Sequence, residues 1–342
     1  MKDYNRNGLD LFRLIATVQV FFGHVITHFH MPQWLNIPVY FVRGVPILFV
    51  LCGFLAAKSI EKQQAKSWLI GRGFRILPAF WTCIILNSLI IAFVYAVRPS
   101  LKEAAVYGAT QLFGLNFYTG DWLRGYGVGT PNGVLWTIPV QIQFFLLVPL
   151  FHKWISRRNL KCGLMAVAAL TVFSIACYRV QAYIPEIAGK LIGVTVVPYL
   201  YFLVLGMVIW YHREHIIPAL EKHRWTLVAL YILWKTAEIY IPYAGLLDGV
   251  MYNTLTTLLI SAVIFAFAFR FHWRMKRDLT YGFYLYHMVF MNLAVHYKIA
   301  VAQPLWQCGA VILGISALTL LFAWLSQNFV ERPAVKCLKK RG

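Results

Sequence analysis

The chain has 342 residues, of which 60% are hydrophobic and only 13% charged, and its formal net charge is +20. A soluble domain carries about 25% charged residues, so this composition excludes an ordinary soluble enzyme. Repeated apolar runs of about 20 residues indicate instead an all-α, polytopic membrane protein. We predict a single integral membrane domain over residues 1–342.

Ten apolar segments are predicted to cross the bilayer, with both termini in the cytoplasm. In chain order they are 9–28, 38–57, 76–97, 134–151, 163–180, 194–211, 226–241, 250–270, 280–298 and 305–326. With this topology, 23 of the 32 Lys and Arg residues fall on the cytoplasmic side and six beside external loops. This asymmetry follows the positive-inside rule, so we expect no nucleic-acid partner. Residues 101–118 are predicted to be interfacial.

The first predicted span carries an arginine and a histidine at different depths. In RLIATVQVFFGH, Arg13 opens and His24 closes an uncharged stretch. Eleven helical residues advance about 16 Å in about three turns, which places both side chains on one face. Asp10 precedes Arg13 by one turn and can pair with it. Charged groups within spans mark candidate functional sites; the structural alternative is a snorkelling Arg13 and a hydrogen-bonded interior His24.

The longest predicted external connection, 98–133, ends in TGDWLRGYGVGTPNG. Its aromatic rings and scattered polar groups suit a sugar, so Asp121 and Trp122 are candidate substrate contacts. Trp136, at the outer mouth of the fourth span, is a third. The alternative is an interfacial loop with an aromatic belt. We predict no metal site and no disulfide framework.

Six stretches follow one another along the chain: Arg13 and His24 with ten residues between them, GVPILFVLCGFL (44–55), GRGFRILPAFW (71–81), LWTIPVQIQFFLLVPL (135–150), YGFYLYHM (281–288) and FVERP (329–333). In this order they resemble the motifs of the acyltransferase family 3 membrane proteins. The resemblance covers nearly the whole chain. It implies a bacterial membrane enzyme that transfers an acyl group, usually acetyl from acetyl-CoA, to a hydroxyl of an extracytoplasmic glycan such as capsule, O-antigen or exopolysaccharide.

This resemblance and the chemistry of acyl transfer assign roles to the polar residues. His24 is the predicted base or acyl carrier, since imidazole changes charge near physiological pH and can also be a nucleophile. Arg13 is predicted to hold a phosphate or carbonyl of the donor, or to orient its helix. Arg72 and Arg75 suit the phosphates of CoA, with a positive-inside anchor as the alternative. His287 is predicted to line the donor path or lock a helix; the alternative is a packed core histidine. Acetyl-CoA is expected as the donor, with no permanently bound cofactor.

The main departure from the family pattern is at Gln141, and Cys52 is another. Cys52 stands where a serine is usual, and Gln141 where a glutamate is usual. A glutamate there could orient His24, whereas a glutamine can neither supply charge nor accept a proton. No nearby acid is an obvious substitute, since Glu238 is expected to pair with Lys235 at i, i+3. Gln141 stays among the predicted catalytic residues. The family's glutamate is either dispensable, or its role is taken by another acid, or this chain is inactive.

Three functions therefore fit the sequence. The first is the O-acyltransferase, in the cytoplasmic membrane of a bacterium. The second is a transporter or flippase for a glycolipid or small solute, because Arg13, His24 and Lys235 within spans also suit a substrate pathway. The third is a catalytically silent family member that binds a partner. The acceptor glycan, the acyl chain and a homo-oligomeric state are left open.

Overall fold

The computed structural model describes residues 3–5, 7–116, 118–250 and 252–339, apart from the side chains of 242–244 and 339. Within these residues the chain is helical and has no named β-strand, which confirms the all-α class. The α-helices are α1 (Leu9–His28), α2 (Asn36–Phe41), α3 (Gly44–Ile60), α4 (Ala65–Val94), α5 (Leu101–Leu112), α6 (Thr137–Ile155), α7 (Leu160–Gln181), α8 (Glu186–Gly193), α9 (Leu200–Tyr211), α10 (Arg213–Lys222), α11 (Arg224–Tyr240), α12 (Thr254–Ala268), α13 (Thr280–His296), α14 (Leu305–Ser326) and α15 (Arg332–Lys339).

Six segments of the described chain are long and apolar enough to cross a bilayer. They are Leu9–His28, Gln33–Ile60, Ala65–Val94, Thr137–Ile155, Leu160–Gln181 and Leu305–Leu338. A seventh forms if Glu186–Gly193 and Val197–Tyr211, bent by 48°, count as one broken span. The remaining predicted spans fall on α11, α12 and α13, which have 17, 15 and 17 residues. A straight span needs about 20 residues, so the ten-span count and the cytoplasmic termini stay predictions.

Two helices refine the predicted boundaries. Helix α4 has 30 residues and begins at Ala65, so Arg72 and Arg75 lie within it and not before it. Helix α5 has 12 residues, about 18 Å, and is too short to cross an apolar layer of about 30 Å. Its N-terminus is a capping box, in which Ser100 accepts from the Glu103 N–H and donates its own N–H to the Glu103 carboxylate. The Ser100 N–H, followed by the Ser100 hydroxyl, lowers the pKa of Glu103.

The chain divides into two compact units. The first unit holds the described residues of Met1–Gln19, Tyr40–Trp68 and Gln141–Lys276. The second unit holds those of Val20–Val39, Leu69–Val140 and Arg277–Gly342. Because the boundary falls inside α1, α2, α4 and α6, each of these helices contributes to both units.

The core of the first unit is the contact between α3 and α9. Gly53 lies against the carbonyl of Leu203, and Gly206 lies against the carbonyl of Val50, so any Cβ would overlap backbone atoms. Between apolar helices in lipid, such small residues allow close backbone approach and dense van der Waals packing. The two glycines therefore fix the spacing of this helix pair.

The core of the second unit is the pair α13 and α14. Gly282 of α13 faces Ala323 of α14 so closely that a Cβ on the glycine would lie 2.8 Å from the Ala323 Cα. The hydroxyl of Tyr281 donates to the carbonyl of Ile76 at 2.9 Å, which ties α13 to α4. These contacts position the face of α13 that carries His287.

Candidate functional site

Two histidines of α1 and one of α13 lie together in the second unit. Nδ1 of His24 lies 3.4 Å from Nε2 of His28, and their rings stack with centroids 5.5 Å apart and 7° between the planes. The ring centroid of His287 lies 5.6 Å from that of His24. The fold thus brings together two predicted site residues from opposite ends of the chain and adds His28 to them.

His287 is a fully enclosed member of this cluster. Its Nδ1 lies 3.2 Å from the carbonyl oxygen of Phe283, and because a carbonyl only accepts, Nδ1 carries the proton. Its Nε2 makes no hydrogen bond within the described residues. The rings of Phe21 and Phe283 pack at 5.8 and 6.3 Å from its centroid. His287 is thus packed and hydrogen-bonded beside His24, and its predicted place along the donor path stays a prediction.

The contact between His24 and His28 has a chemical consequence. Only one of the two facing nitrogens can carry the shared proton. When Nδ1–H of His24 donates to Nε2 of His28, Nε2 of His24 is left unprotonated and can accept a proton from a hydroxyl. The reverse arrangement protonates Nε2 of His24 and removes the base. His28 is therefore the group that can select the reactive tautomer.

His28 was not among the predicted site residues. The signal for it is nevertheless in the sequence, because HVITH spaces two histidines at i and i+4 on one helical face. A histidine pair with this spacing also suits a metal, but no group of three or more potential ligands comes together in the part of the chain that the structure describes. The pair is therefore best interpreted through its mutual hydrogen bond.

Arg13 belongs to the first unit, where it pairs with Asp10 as predicted, at 3.5 Å between Nη1 and Oδ1. Oδ2 of Asp10 accepts from the backbone N–H of Met275 at 3.2 Å. The Asp10 carboxylate thereby links α1 to the connection between α12 and α13.

Asp10 also lines a cavity of about 320 Å³ on the predicted cytoplasmic side. Its other lining residues include Lys58, His272, Trp273 and Arg274. We call it the basic cavity. In the sequence its charges count only toward the positive-inside pattern, because Lys58 and Arg274 are far apart in the chain. An aromatic ring in the same cavity as a lysine and an arginine can hold a nucleotide-like anion.

Gln141 is bonded to the other departure from the family pattern. Its Nε2 donates to the Sγ of Cys52 at 3.3 Å, within the first unit. The two unusual positions are therefore one contact, between α6 and α3. No neighbouring carboxylate bonds to Gln141 among the described residues, and the first unit places Glu238 with Lys235, as predicted from their spacing.

Arg72 and Arg75 stand one turn apart on α4 in the second unit. Arg75 is exposed and Arg72 is half-buried. The hydrogen bond from Tyr281 to Ile76 anchors α4 to α13 next to Arg75. The two guanidinium groups thus lie on a helix that is hydrogen-bonded to α13, and their contact with the donor stays a prediction.

The predicted substrate residues of the external loop occupy three different settings. Asp121 is exposed and lies 3.9 Å from the Nε of Arg124. The ring of Trp122 packs edge-on against Tyr107 at 5.7 Å, which gives it a structural contact in addition to its predicted role. Trp136 is half-buried in the turn before α6. Asp121 is thus the most accessible of the three.

Three asparagines fasten this loop to the helices of the second unit. Asn292 of α13 donates to the carbonyls of Thr130 and Pro131 at 3.0 and 2.7 Å and accepts from the N–H of Val128 at 3.0 Å. Asn87 donates to the Pro131 carbonyl at 3.0 Å, and Asn132 to the Leu285 carbonyl at 2.9 Å. The loop is therefore a fixed structure.

Gly127 is required where this loop passes Asn292. Its φ of +55° favours glycine, and a Cβ there would collide with the Asn292 side chain. The glycine is visible in the sequence, but its contact with Asn292 could not be predicted from it.

The apolar helices define a multi-pass membrane protein, and the contacts among His24, His28 and His287 form its candidate functional site. Residues 6–327 match the family profile described as "Acyltransferase domain", and the chain belongs to acyltransferase family 3. The predicted resemblance is thus confirmed.

Two curated relatives extend this comparison. The chain is 27% identical to Nodulation protein 10 of Rhizobium leguminosarum bv. viciae, over 97% of this chain and 94% of that protein. It is 26% identical to the peptidoglycan O-acetyltransferase OatA of Listeria monocytogenes, over 86% of this chain and 51% of that protein. No solved structure matches.

Proposed function

We propose that this protein is a membrane O-acyltransferase that carries an acyl group, acetyl foremost, from cytoplasmic acyl-CoA to a hydroxyl of an extracytoplasmic glycan. The observation that carries the proposal is the contact of His24 with both His28 and His287 in a chain of this family. The relative whose name states an activity is an O-acetyltransferase of peptidoglycan, which supports an acetyl donor and a glycan acceptor. The membrane is the cytoplasmic membrane of a bacterium.

His24 acts as the base in this proposal. The acceptor hydroxyl gives its proton to Nε2 of His24 while its oxygen attacks the thioester carbonyl. The carbon–sulfur bond then breaks, and the CoA thiolate leaves and takes the proton from His24. The products are the glycan ester and the CoA thiol. His28 accepts from Nδ1–H of His24 throughout and holds the ring in the reactive tautomer, as an orienting group does in other histidine-based sites.

A covalent route uses the same nitrogen. Nε2 of His24 attacks the thioester carbonyl, the carbon–sulfur bond breaks, and CoA leaves as its thiolate. The acceptor hydroxyl then attacks the acyl-imidazolium, the carbon–nitrogen bond breaks, and the hydroxyl proton goes to the thiolate, which leaves Nε2 of His24 unprotonated again. The two routes differ in one observable. Only the covalent route labels the protein when labelled acyl-CoA is supplied without acceptor.

The donor is held by basic groups on the predicted cytoplasmic side. Lys58 and Arg274 of the basic cavity pair with the phosphates of CoA, and the ring of Trp273 stacks on the nucleotide base of CoA. Arg13 positions Asp10 on the wall of this cavity. Arg72 and Arg75 are retained as further phosphate contacts.

The acceptor is proposed to meet the fixed external loop. Asp121 presents an exposed carboxylate, and Trp136 presents a half-buried ring beside the start of α6. Trp122, whose ring packs against Tyr107, is proposed to contact the sugar through its ring edge. Aromatic and carboxylate groups on a rigid loop suit the hydroxyls and apolar faces of a sugar.

Sealed vesicles of known orientation test the proposal. Acetyl-labelled CoA is supplied only at the cytoplasmic face, and label is followed into glycan at the opposite face. We expect transfer by the native chain and a loss of at least about 100-fold in His24→Ala with unchanged membrane insertion. Equal transfer by both proteins would remove His24 from the chemistry. Absence of transfer by both, repeated with a panel of acceptors and with Gln141→Glu, would contradict the enzymatic function.

A further inference from the structure

A second cavity, of about 660 Å³, lies within the first unit. It is bordered by Tyr40, the ends of α7 and α11, the connection after α11, and the start of α12. In the predicted topology all these ends face the outside. We call it the Tyr40 pocket. Its volume is within the range of about 300–1,000 Å³ typical of small-molecule sites.

A carboxylate that accepts four hydrogen bonds forms the floor of the Tyr40 pocket. Glu238 receives hydrogen bonds from the fully buried Lys235, from the Thr256 hydroxyl, from the Tyr40 hydroxyl at 2.8 Å and from Trp234 Nε1 at 3.1 Å. The charges of Lys235 and Glu238 thus compensate each other. Because these donors are side chains from three different parts of the unit, the floor is rigid and Tyr40 is fixed in place.

The wall of the pocket carries a cation without a carboxylate partner. The Arg43 guanidinium lies over the Tyr40 ring, 5.0 Å from its centroid, and forms no ion pair within the described residues. The other charged wall residue, Asp248, accepts from Asn253 Nδ2 at 3.0 Å. Arg43 therefore presents its planar donors beside an aromatic face, with no carboxylate of the described chain to receive them.

The remaining lining groups suit a sugar. The wall contains the aromatic side chains of Tyr178, Tyr240 and Tyr252 and the amide of Asn253. Aromatic faces pack against the C–H faces of sugar rings, and amide and carboxylate groups bond to their hydroxyls. The Arg43 guanidinium adds selectivity for a carboxylate, which it can bind through two parallel hydrogen bonds.

We infer that the Tyr40 pocket binds an acidic saccharide of the uronate type, with its carboxylate on Arg43 and its ring over the tyrosines. The inference rests on the proposed function, because that function supplies a glycan on the outer face. It goes beyond that function by naming a second set of residues that contact the glycan, none of them from the external loop, and the charge of the sugar that they select. It also assigns the pair Lys235–Glu238 a role in building a binding floor.

The test uses direct binding, so it needs no acyl transfer. The full-length protein in lipid nanodiscs is titrated with trigalacturonate and with its methyl ester, a neutral saccharide of the same length. Arg43→Gln and Arg43→Lys are compared with Arg157→Gln, an exposed arginine at the predicted opposite side. Melting curves check that each variant is folded.

We expect the native protein to bind trigalacturonate more tightly than the ester. Arg43→Gln should weaken binding of the acid by at least about tenfold, the value of one charge-assisted hydrogen-bonded pair, and leave the ester unchanged. Arg43→Lys should lose less, and Arg157→Gln nothing. No binding by the native protein, equal binding of acid and ester, or native-like binding by folded Arg43→Gln would each overturn the inference. Any of these with His24-dependent transfer intact leaves the proposed function standing, whereas selective binding without transfer would contradict that function alone.

Discussion

The side-chain amide of Gln141 donates to the thiol sulfur of Cys52 at 3.3 Å, across 89 positions of the chain. These are the two residues that differ from the family pattern, where a glutamate and a serine are usual. A glutamate and a serine at these positions would bond with the hydroxyl as donor and the carboxylate as acceptor. In this chain the amide donates to the sulfur, so the direction of the hydrogen bond is the opposite.

The reversal predicts that the two positions are coupled. Gln141→Glu alone removes the N–H donor and sets a carboxylate against a thiol, a weak donor, so we expect lower thermal stability. Cys52→Ser alone should be nearly neutral, because a hydroxyl also accepts from the amide. The double variant should exceed Gln141→Glu in stability and in transfer, with a coupling energy of about 0.5–3 kcal/mol in a double-mutant cycle. Additivity within about 0.3 kcal/mol would show that the contact is not an energetic unit.

His28 is predicted to be a positioning residue. Replacing it by alanine should lower kcat by about 10- to 100-fold and leave the KM for acyl-CoA unchanged, because only the orientation of His24 is lost. His28→Gln should recover part of the activity, since its carbonyl can accept from Nδ1–H. Thr27→Ala is the matched control, an exposed neighbour whose hydroxyl bonds to its own helix at the Gly23 carbonyl. Native activity in both His28 variants would refute the role.

The basic cavity predicts which variants weaken donor binding. Lys58→Gln and Arg274→Gln should each raise the KM for acyl-CoA by about tenfold with little change in kcat, because each removes a phosphate contact made equally in the ground and transition states. Arg13→Ala should act in the same direction by releasing Asp10. Arg270→Gln, exposed and outside the cavity, is the control. Steady-state kinetics and the CoA-dependent rise in melting temperature report the effect.

A different result with these variants would place the acyl-CoA site elsewhere. If Arg72→Gln and Arg75→Gln abolish the CoA-dependent rise while Lys58→Gln and Arg274→Gln retain it, the donor binds along α4. The basic cavity would then be no more than a cytoplasmic charge cluster.

The contact between α3 and α9 predicts a stability defect without a catalytic one. Gly206→Ala places a methyl group against the Val50 carbonyl and should lower the free energy of unfolding by about 1–3 kcal/mol. Gly314→Ala is the matched control, because a Cβ at that position would have no atom within 4 Å and alanine favours a helix by up to about 1 kcal/mol. Thermal unfolding in detergent measures both. If Gly206→Ala melted at the same temperature as Gly314→Ala, the close approach of α3 and α9 would make no contribution to stability.

Much of the helical pattern could be predicted from hydropathy alone, because each apolar run forms a helix wherever lipid leaves backbone groups no other partner. The prediction for the first span matches its observed bounds, Leu9–His28. Local pairs such as Asp10 with Arg13 also follow from spacing. Predicted boundaries are less accurate where a helix continues past the apolar run, as α4 does through Arg72 and Arg75.

The contacts that define the sites were harder to predict. His287 beside His24, and Cys52 beside Gln141, join helices that are far apart in the chain, and no local period encodes such neighbours. The basic cavity escapes sequence reasoning for another reason. Its lysine and arginine already have an explanation in the charge asymmetry, so nothing in the sequence sets them apart.

The fastening of the external loop has a consequence for where this protein can work. The three asparagine side chains that bond to the loop or from it, Asn87, Asn132 and Asn292, are carboxamides, which neither gain nor lose a proton over the pH range in which cells live. Neutral pins are also little affected by dissolved ions, whose screening acts on charges. These three attachments therefore do not depend on external pH or salt, conditions that a cell controls inside its membrane but not beyond it.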